Sequence, residues 1–270
     1  PASICLSLAL VVLGANAAHA HEPVFGVGPE TIYEGGVGVE VGWDFEDEGD
    51  ERTAVLDTEL IYGVTPNFSL TVASLQVLRR HTDDGTRSGL GDMLVRGKLQ
   101  VWKRDRLNAS EKLTLIAGLT LPTGYEHGSV PLGSGSFDPV FGIAAGHESR
   151  TWYAFGSIRY LLRTRHDGLN RGDRIFYEVA AGLRPWRTGY LEPDLVILLE
   201  FNGLATAQDR DRAGAISSTG RNVGWLGPTA LLSYRNLMTK AGIQFPVYAN
   251  RRGSQERPDL RAVLALEVHF

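Results

Sequence analysis

Charged side chains set an even number of positions apart are the residues of this chain with chemistry to offer. Glu34 and Glu40, Asp57 and Glu59, Arg96 and Lys98, Arg159 and Arg163, Glu178 and Arg184, Glu200, Lys240, Arg261 and Glu267 fall on the polar face of a strand-like alternation. Seven are acidic and seven basic. On a strand whose other face meets lipid, a Lys or Arg turned outward at mid-bilayer costs ~2–4 kcal/mol, so these groups are expected to point inward. Inside a barrel they can form rings of charge that select solutes along a hydrated path. They can equally pair and staple the interior shut, and the balanced signs leave both outcomes open. Asp92 joins the lumen candidates. Beside Gly89 and Gly91, a turn bond or an ion pair is expected of it before contact with solute.

Other chemistry finds little footing. The histidines are His19, in the signal segment, and then His21, His81, His127, His147, His166 and His269, and after the signal no two stand at i, i+2 or i, i+4 as paired metal ligands would. His21 is followed by Glu22-Pro23, and the proline denies a backbone nitrogen to an N-terminal copper or nickel chelate. His147 has Ser149 two positions on and Ser157 on the next strand, without a nucleophile elbow or an orienting carboxamide. No catalytic, metal or cofactor residue is assigned, and an enzyme is not expected. The only cysteine, Cys5, lies in the first twenty residues, so the remainder has no thiol chemistry.

The elements that must position the charges are strands. Leu260, Ala262, Leu264, Leu266, Val268 and Phe270 share one face, with Arg261, Val263, Ala265, Glu267 and His269 on the other. Turn signals divide the chain into twelve such runs, near 32–46, 53–64, 68–79, 90–104, 112–123, 138–149, 151–164, 173–186, 194–207, 223–235, 238–249 and 259–270. Thr65-Pro66-Asn67, Ser149-Arg150 and Asn236-Leu237 read as tight turns. The segments 47–52, 80–89, 124–137, 165–172, 208–222 and 250–258 read as longer polar loops on the opposite rim. On the tight side, 104–111 and 187–193 are longer than that ordering predicts. Runs of this length, even in number and with both termini on one rim, predict a closed antiparallel transmembrane β-barrel with periplasmic termini. In lipid an open sheet edge would leave backbone groups unpaired.

Aromatics fall towards both rims, Tyr62, Trp102, Trp152, Trp186, Tyr234 and Phe270 on one and Trp43, Phe45, Phe137, Phe176, Trp225 and Tyr248 on the other. The Gly/Ser-rich loop 124–137 is the candidate for a segment folded into the bore, its alternative being an ordinary surface loop. The parity of Phe68 to Arg79 stays ambiguous, as does that around Leu231.

Of 270 residues, 43% are hydrophobic and 21% charged, which argues against disorder, and a net charge of −4 argues against nucleic acid as a partner. Ile4 to Leu13 is apolar but for Ser7 and precedes Ala18-His19-Ala20, so residues 1–20 read as a signal peptide cleaved before His21, with its basic start expected ahead of Pro1. The barrel is assigned to 21–270.

Gly89-Leu90-Gly91-Asp92, Leu121-Pro122-Thr123-Gly124 and Gly133-Ser134-Gly135-Ser136-Phe137-Asp138-Pro139 resemble motifs of the family known for the MetA pathway of phenol degradation, whose members are outer-membrane, transporter-like barrels. The resemblance implies passage of small, including aromatic, solutes. The last strand, ending in Phe270, resembles the C-terminal signature read by the barrel-assembly machinery, an expected partner alongside outer-membrane lipid and lipopolysaccharide. The expectation is therefore a Gram-negative outer-membrane channel for small solutes, its alternative a closed structural or adhesive barrel acting through its loops.

Overall fold

In a computed structural model, residues 21–186, 188–189, 192–253 and 255–270 are described, and residues 1–20, with Cys5 and the proposed signal peptide, lie outside them. Among the described residues fourteen strands follow in chain order: β1 Val37–Glu48, β2 Glu51–Thr65, β3 Phe68–Thr82, β4 Gly85–Arg106, β5 Ala109–Leu121, β6 Asp138–Ser149, β7 Trp152–Leu161, β8 Arg165–His166, β9 Leu169–Asn170, β10 Arg174–Leu183, β11 Asp194–Thr206, β12 Arg221–Tyr234, β13 Leu237–Arg251 and β14 Leu260–His269. Twelve of them close an antiparallel barrel, while β8 and β9 form a two-residue hairpin of their own. Closure runs through β1 and β14, paired from Gly38↔His269 to Asp47↔Leu260, so no sheet edge is left open.

The alternation sorts side chains as the pleat requires. Leu264 and Leu266 on β14 and Leu60, Tyr62 and Val64 on β2 are about half exposed on the outer wall. Arg96, Lys98, Glu200, Lys240 and Glu267 are less than a tenth exposed, on the inner one. An outward apolar band with charges within is the solution lipid demands. The ambiguous strand β3 has a physical reason: its pairing with β4 slips between Ser74 and Gln76 and again between Val77 and Arg80. Each slip breaks the simple alternation of faces.

The loops depart from the expected ordering. The segments near 47–52 and 80–89 are not long loops: β1 and β2 meet across Gly49-Asp50, and β3 and β4 across Asp83-Asp84. Gly49 takes a φ of +66°, which a side chain would strain. The 104–111 connection likewise shrinks to Leu107-Asn108, because β4 continues to Arg106. Strand propensity in these polar stretches is modest, but each extra pair extends an existing ladder at little cost. The first run also starts late. Residues 32–36 are not strand, and Glu34, expected in the lumen, is exposed at the rim that carries the termini.

Candidate functional site

The barrel is not hollow. Residues 21–36 run as a strap inside it, up from the terminal rim and back again before β1 begins. Pro23 and Pro29 lack amides for a ladder, and with Gly26 and Gly28 they keep this segment from pairing as a strand. At its start His21 is 1% exposed, with Nδ1 2.6 Å from Glu148 Oε1 and Nε2 3.4 Å from Asp194 Oδ2. Burial alone would lower the imidazole, but the hydrogen bonds and charges of Asp194 and Glu148 outweigh it and raise His21 from 6.5 to about 9.

At its apex the strap is held by two carboxylates. Glu200 accepts the amides of Val24 at 2.7 Å and Phe25 at 3.0 Å, and the Thr229 hydroxyl at 2.7 Å. Glu178 accepts the Val27 amide at 3.1 Å while pairing with Arg159. On the return leg Thr114 donates to the Pro29 carbonyl at 2.5 Å and Lys112 pairs with Glu30, while Lys98 joins the legs by donating to the Glu30 carbonyl at 3.3 Å and to Glu22 at 2.5 Å. Burial pushes the Glu30 carboxyl up to about 7 against the pull of Lys112. Tyr33 closes the strap by donating to the carbonyl of Phe270 at 2.5 Å.

Packing makes the lumen lopsided. Val24 lies against a buried cluster of Tyr153, Phe155, Ala180, Val196, Leu198, Leu231 and Met238, and Val27 against Ile116 and Ala144. Leu231 thus faces inward because apolar strap residues cover it. The opposite wall, from β13 through β14 to β4, is charged and keeps free space. A cavity of about 300 Å³ there is lined by Glu40, Asp44, Asp57, Glu59, Asp92, Arg96, Arg159 and Lys240 together with strap residues Glu22 to Val27. Towards the loops, a space of about 250 Å³ is lined by Val24, Phe25, Asp44, Glu46 and Arg261. Towards the termini only about 50 Å³ remains, among Glu22, Glu30, Glu40, Glu59, Arg96, Lys98, Lys240, Glu267 and His269.

That narrowing is built from ion pairs. Lys240 lies 2.8 Å from Glu40 and 2.7 Å from Glu267, and Arg96 lies 2.9 Å from Glu59. Away from it, Arg163 pairs with Asp138 at 3.0 Å near the loop rim, and Arg184 ties Asp194 at 2.6 Å at the terminal rim. Asp57 is different: its Oδ1 is buried without a hydrogen-bond partner among the described residues. Arg261 donates to Gln244 Oε1 at 2.9 and 2.5 Å and makes no ion pair among them. Asp92 binds no cation either. It accepts the amides of Gly124 at 3.0 Å and Ser134 at 2.7 Å and so pins the loop 124–137 to the wall. Leu132 of that loop rests on Gly89 and Gly91. None of the three cavities beside the strap is lined by residues 124–137; the strap occupies the bore instead.

Sequence reasoning did not find the strap or its ligands His21, Glu22, Phe25 and Glu30. The available signal was a stretch without alternation, His21 to Ile32, that still carries Val24, Phe25, Val27 and Ile32. Apolar residues outside any strand or turn must be covered by something, and the lumen covers them.

A closed twelve-stranded antiparallel barrel with an apolar outer band and a charged, partly filled bore is a transmembrane β-barrel. Residues 20–257 match the family described as Putative MetA-pathway of phenol degradation, and the chain belongs to that family. Among solved structures it is similar to the COG4313 outer membrane channel from Pseudomonas putida F1, at 13% identity and a TM-score of 0.74, over 93% of this chain and 100% of that one. It is also similar to the NanC porin, at 7% identity and a TM-score of 0.52, over 85% of this chain and 98% of that one. No curated protein matches the sequence.

Proposed function

We propose that this protein is a passive outer-membrane channel for small solutes, with its termini in the periplasm, and that solutes pass between the strap and the β14–β1–β4 wall. The observation that carries the reading is the file of cavities of about 250, 300 and 50 Å³ on that one side. The shared lining residues are Val24, Phe25, Asp44 and Val263 for the upper pair, and Glu22, Glu40, Glu59, Arg96 and Lys240 for the lower. The similarity to outer membrane channels supports both the class and the location. Apolar residues Ala73, Leu75, Leu94, Val263 and Ala265 line the middle cavity beside the charges, which suits small solutes with an apolar body, aromatic ones included.

The middle cavity is lined by six carboxyl side chains, Glu22, Glu40, Asp44, Asp57, Glu59 and Asp92, against three cations, Arg96, Arg159 and Lys240, so the path favours cations. Single-channel recording in planar bilayers tests this: discrete steps with a cation preference that falls in Asp57→Asn support it. A second reading, a closed barrel acting through its loops, is favoured by the lowest cavity, whose ion-paired walls leave only about 50 Å³. Silence over many verified insertions would select that reading.

A further inference from the structure

Phe25, at the apex of the strap, borders both the 250 and the 300 Å³ cavities and stands between them. Its ring sits in a seat made by the wall. The Arg261 guanidinium carbon lies 4.8 Å from the Phe25 ring centre and 4.4 Å from that of Trp225. Gly242 supplies the floor: a Cβ there would lie 2.6 Å from the Phe25 ring and 2.7 Å from the Thr229 methyl. Trp225 is 2% exposed, with its indole nitrogen unpartnered among the described residues. Gln244 fixes the guanidinium plane, and it is itself held by the Glu200 carbonyl and Asn202 Oδ1.

A guanidinium oriented in this way, shared by two aromatic faces and desolvated, attracts an aromatic ring and has no comparable attraction for a saturated one. The neighbouring charge excludes anions, because Asp44 and Glu46 line the same 250 Å³ space. Trp225 and Gly242 do not line that space; the seat they form with Arg261 is filled by the Phe25 ring, so it has room for a single ring.

We propose that the Arg261–Trp225–Gly242 seat is a binding site for uncharged single-ring aromatic solutes, occupied at rest by the side chain of Phe25, which such a solute displaces. The strap backbone stays on Glu200 and Glu178 while the ring swings out, and the two cavities join. The protein thus carries its own competing ligand, and an aromatic solute opens its own path. This rests on the lumen being the solute path, but the seat itself can be tested without conduction.

The test is calorimetric titration of the purified protein in detergent with phenol, cyclohexanol and benzoate, each corrected with a protein-free micelle blank. Phenol should bind saturably and at least about tenfold more tightly than cyclohexanol or benzoate. Phe25→Ala removes the competitor and should tighten phenol by about tenfold, since apparent affinity scales with the fraction of seats free. Arg261→Gln and Gly242→Ala, each verified as folded by heat-modifiable gel migration, should lose saturable phenol binding, one by charge and one by space. Equal affinity for cyclohexanol, or unchanged phenol affinity in Phe25→Ala, overturns the proposal. A barrel that binds phenol so but never conducts keeps the seat and refutes the channel, whereas one that conducts without this discrimination keeps the channel and refutes the seat.

Discussion

Removing the Glu200 carboxylate should release the strap while leaving the barrel closed. In Glu200→Ala the amides of Val24 and Phe25 lose acceptors at 2.7 and 3.0 Å. Hydrogen bonds to a charged group contribute ~1.5–3 kcal/mol each, so the pair is worth ~3–6 kcal/mol to docking. Both amides border a cavity that admits water, which partly replaces the lost acceptor, so the lower end of that range, about 3 kcal/mol, applies. This corresponds to roughly a hundredfold rise in the undocked population. Hydrogen exchange followed by mass spectrometry reads it directly: protection of a peptide covering residues 21–36 should fall about a hundredfold, with β1–β14 unchanged. Glu200→Gln keeps one carbonyl acceptor and should fall between wild type and Glu200→Ala. Unchanged strap protection in Glu200→Ala, or an equal loss across the barrel strands, would refute the reasoning.

Three further outcomes follow from the same contacts. His21 is raised from 6.5 to about 9, so its contribution to strap docking is complete below pH 6.5 and lost as pH rises through 9, by about 3 kcal/mol at most. Glu30, pushed up to about 7, acts with the same sign between pH 4.5 and 7, so strap protection should decline steadily with pH, and a strap that tightens towards pH 9 contradicts this. Lys240→Met leaves Glu40 without a cation and Glu267 with His269 alone, which costs ~3–5 kcal/mol for a buried pair and should lower the temperature at which the folded gel band is lost. Asp92→Ala frees the amides of Gly124 and Ser134; limited proteolysis should then cut within 122–137 many times faster, with strap exchange unaltered because the strap makes no bond to Asp92.

The wall of this barrel was legible because lipid imposes a binary rule on every strand, and the β14 alternation from Leu260 to Phe270 states it openly. Strand ends were not, since Gly49-Asp50 and Asp83-Asp84 look like parts of polar loops until a partner strand pairs with their flanks. The alternation suggested inward charges one at a time, but it missed Asp44, Lys112 and Asp138 and included Glu34, which lies exposed at the rim. It could not name their partners, because several run to the strap: Lys98 to Glu22, Glu178 to the Val27 amide, and Glu200 to two backbone amides that no residue type announces. Asp92 carries the same lesson. Its type and glycine neighbours suggested a local turn bond or an ion pair, yet its oxygens accept from amides more than thirty residues away. Patterns of period two report which face a residue takes, whereas what fills the space behind that face depends on contacts between Val24 and Leu231 that are far apart in sequence.

The most direct measurement is single-channel recording of the wild-type protein and Glu200→Ala in the same planar bilayer system. If the space beside the strap is the path, wild type gives small discrete cation-favouring steps, and Glu200→Ala gives larger or longer-lived ones as the strap loosens. No steps from either protein over many verified insertions would contradict a channel, and identical steps from both would place the path elsewhere than beside the strap.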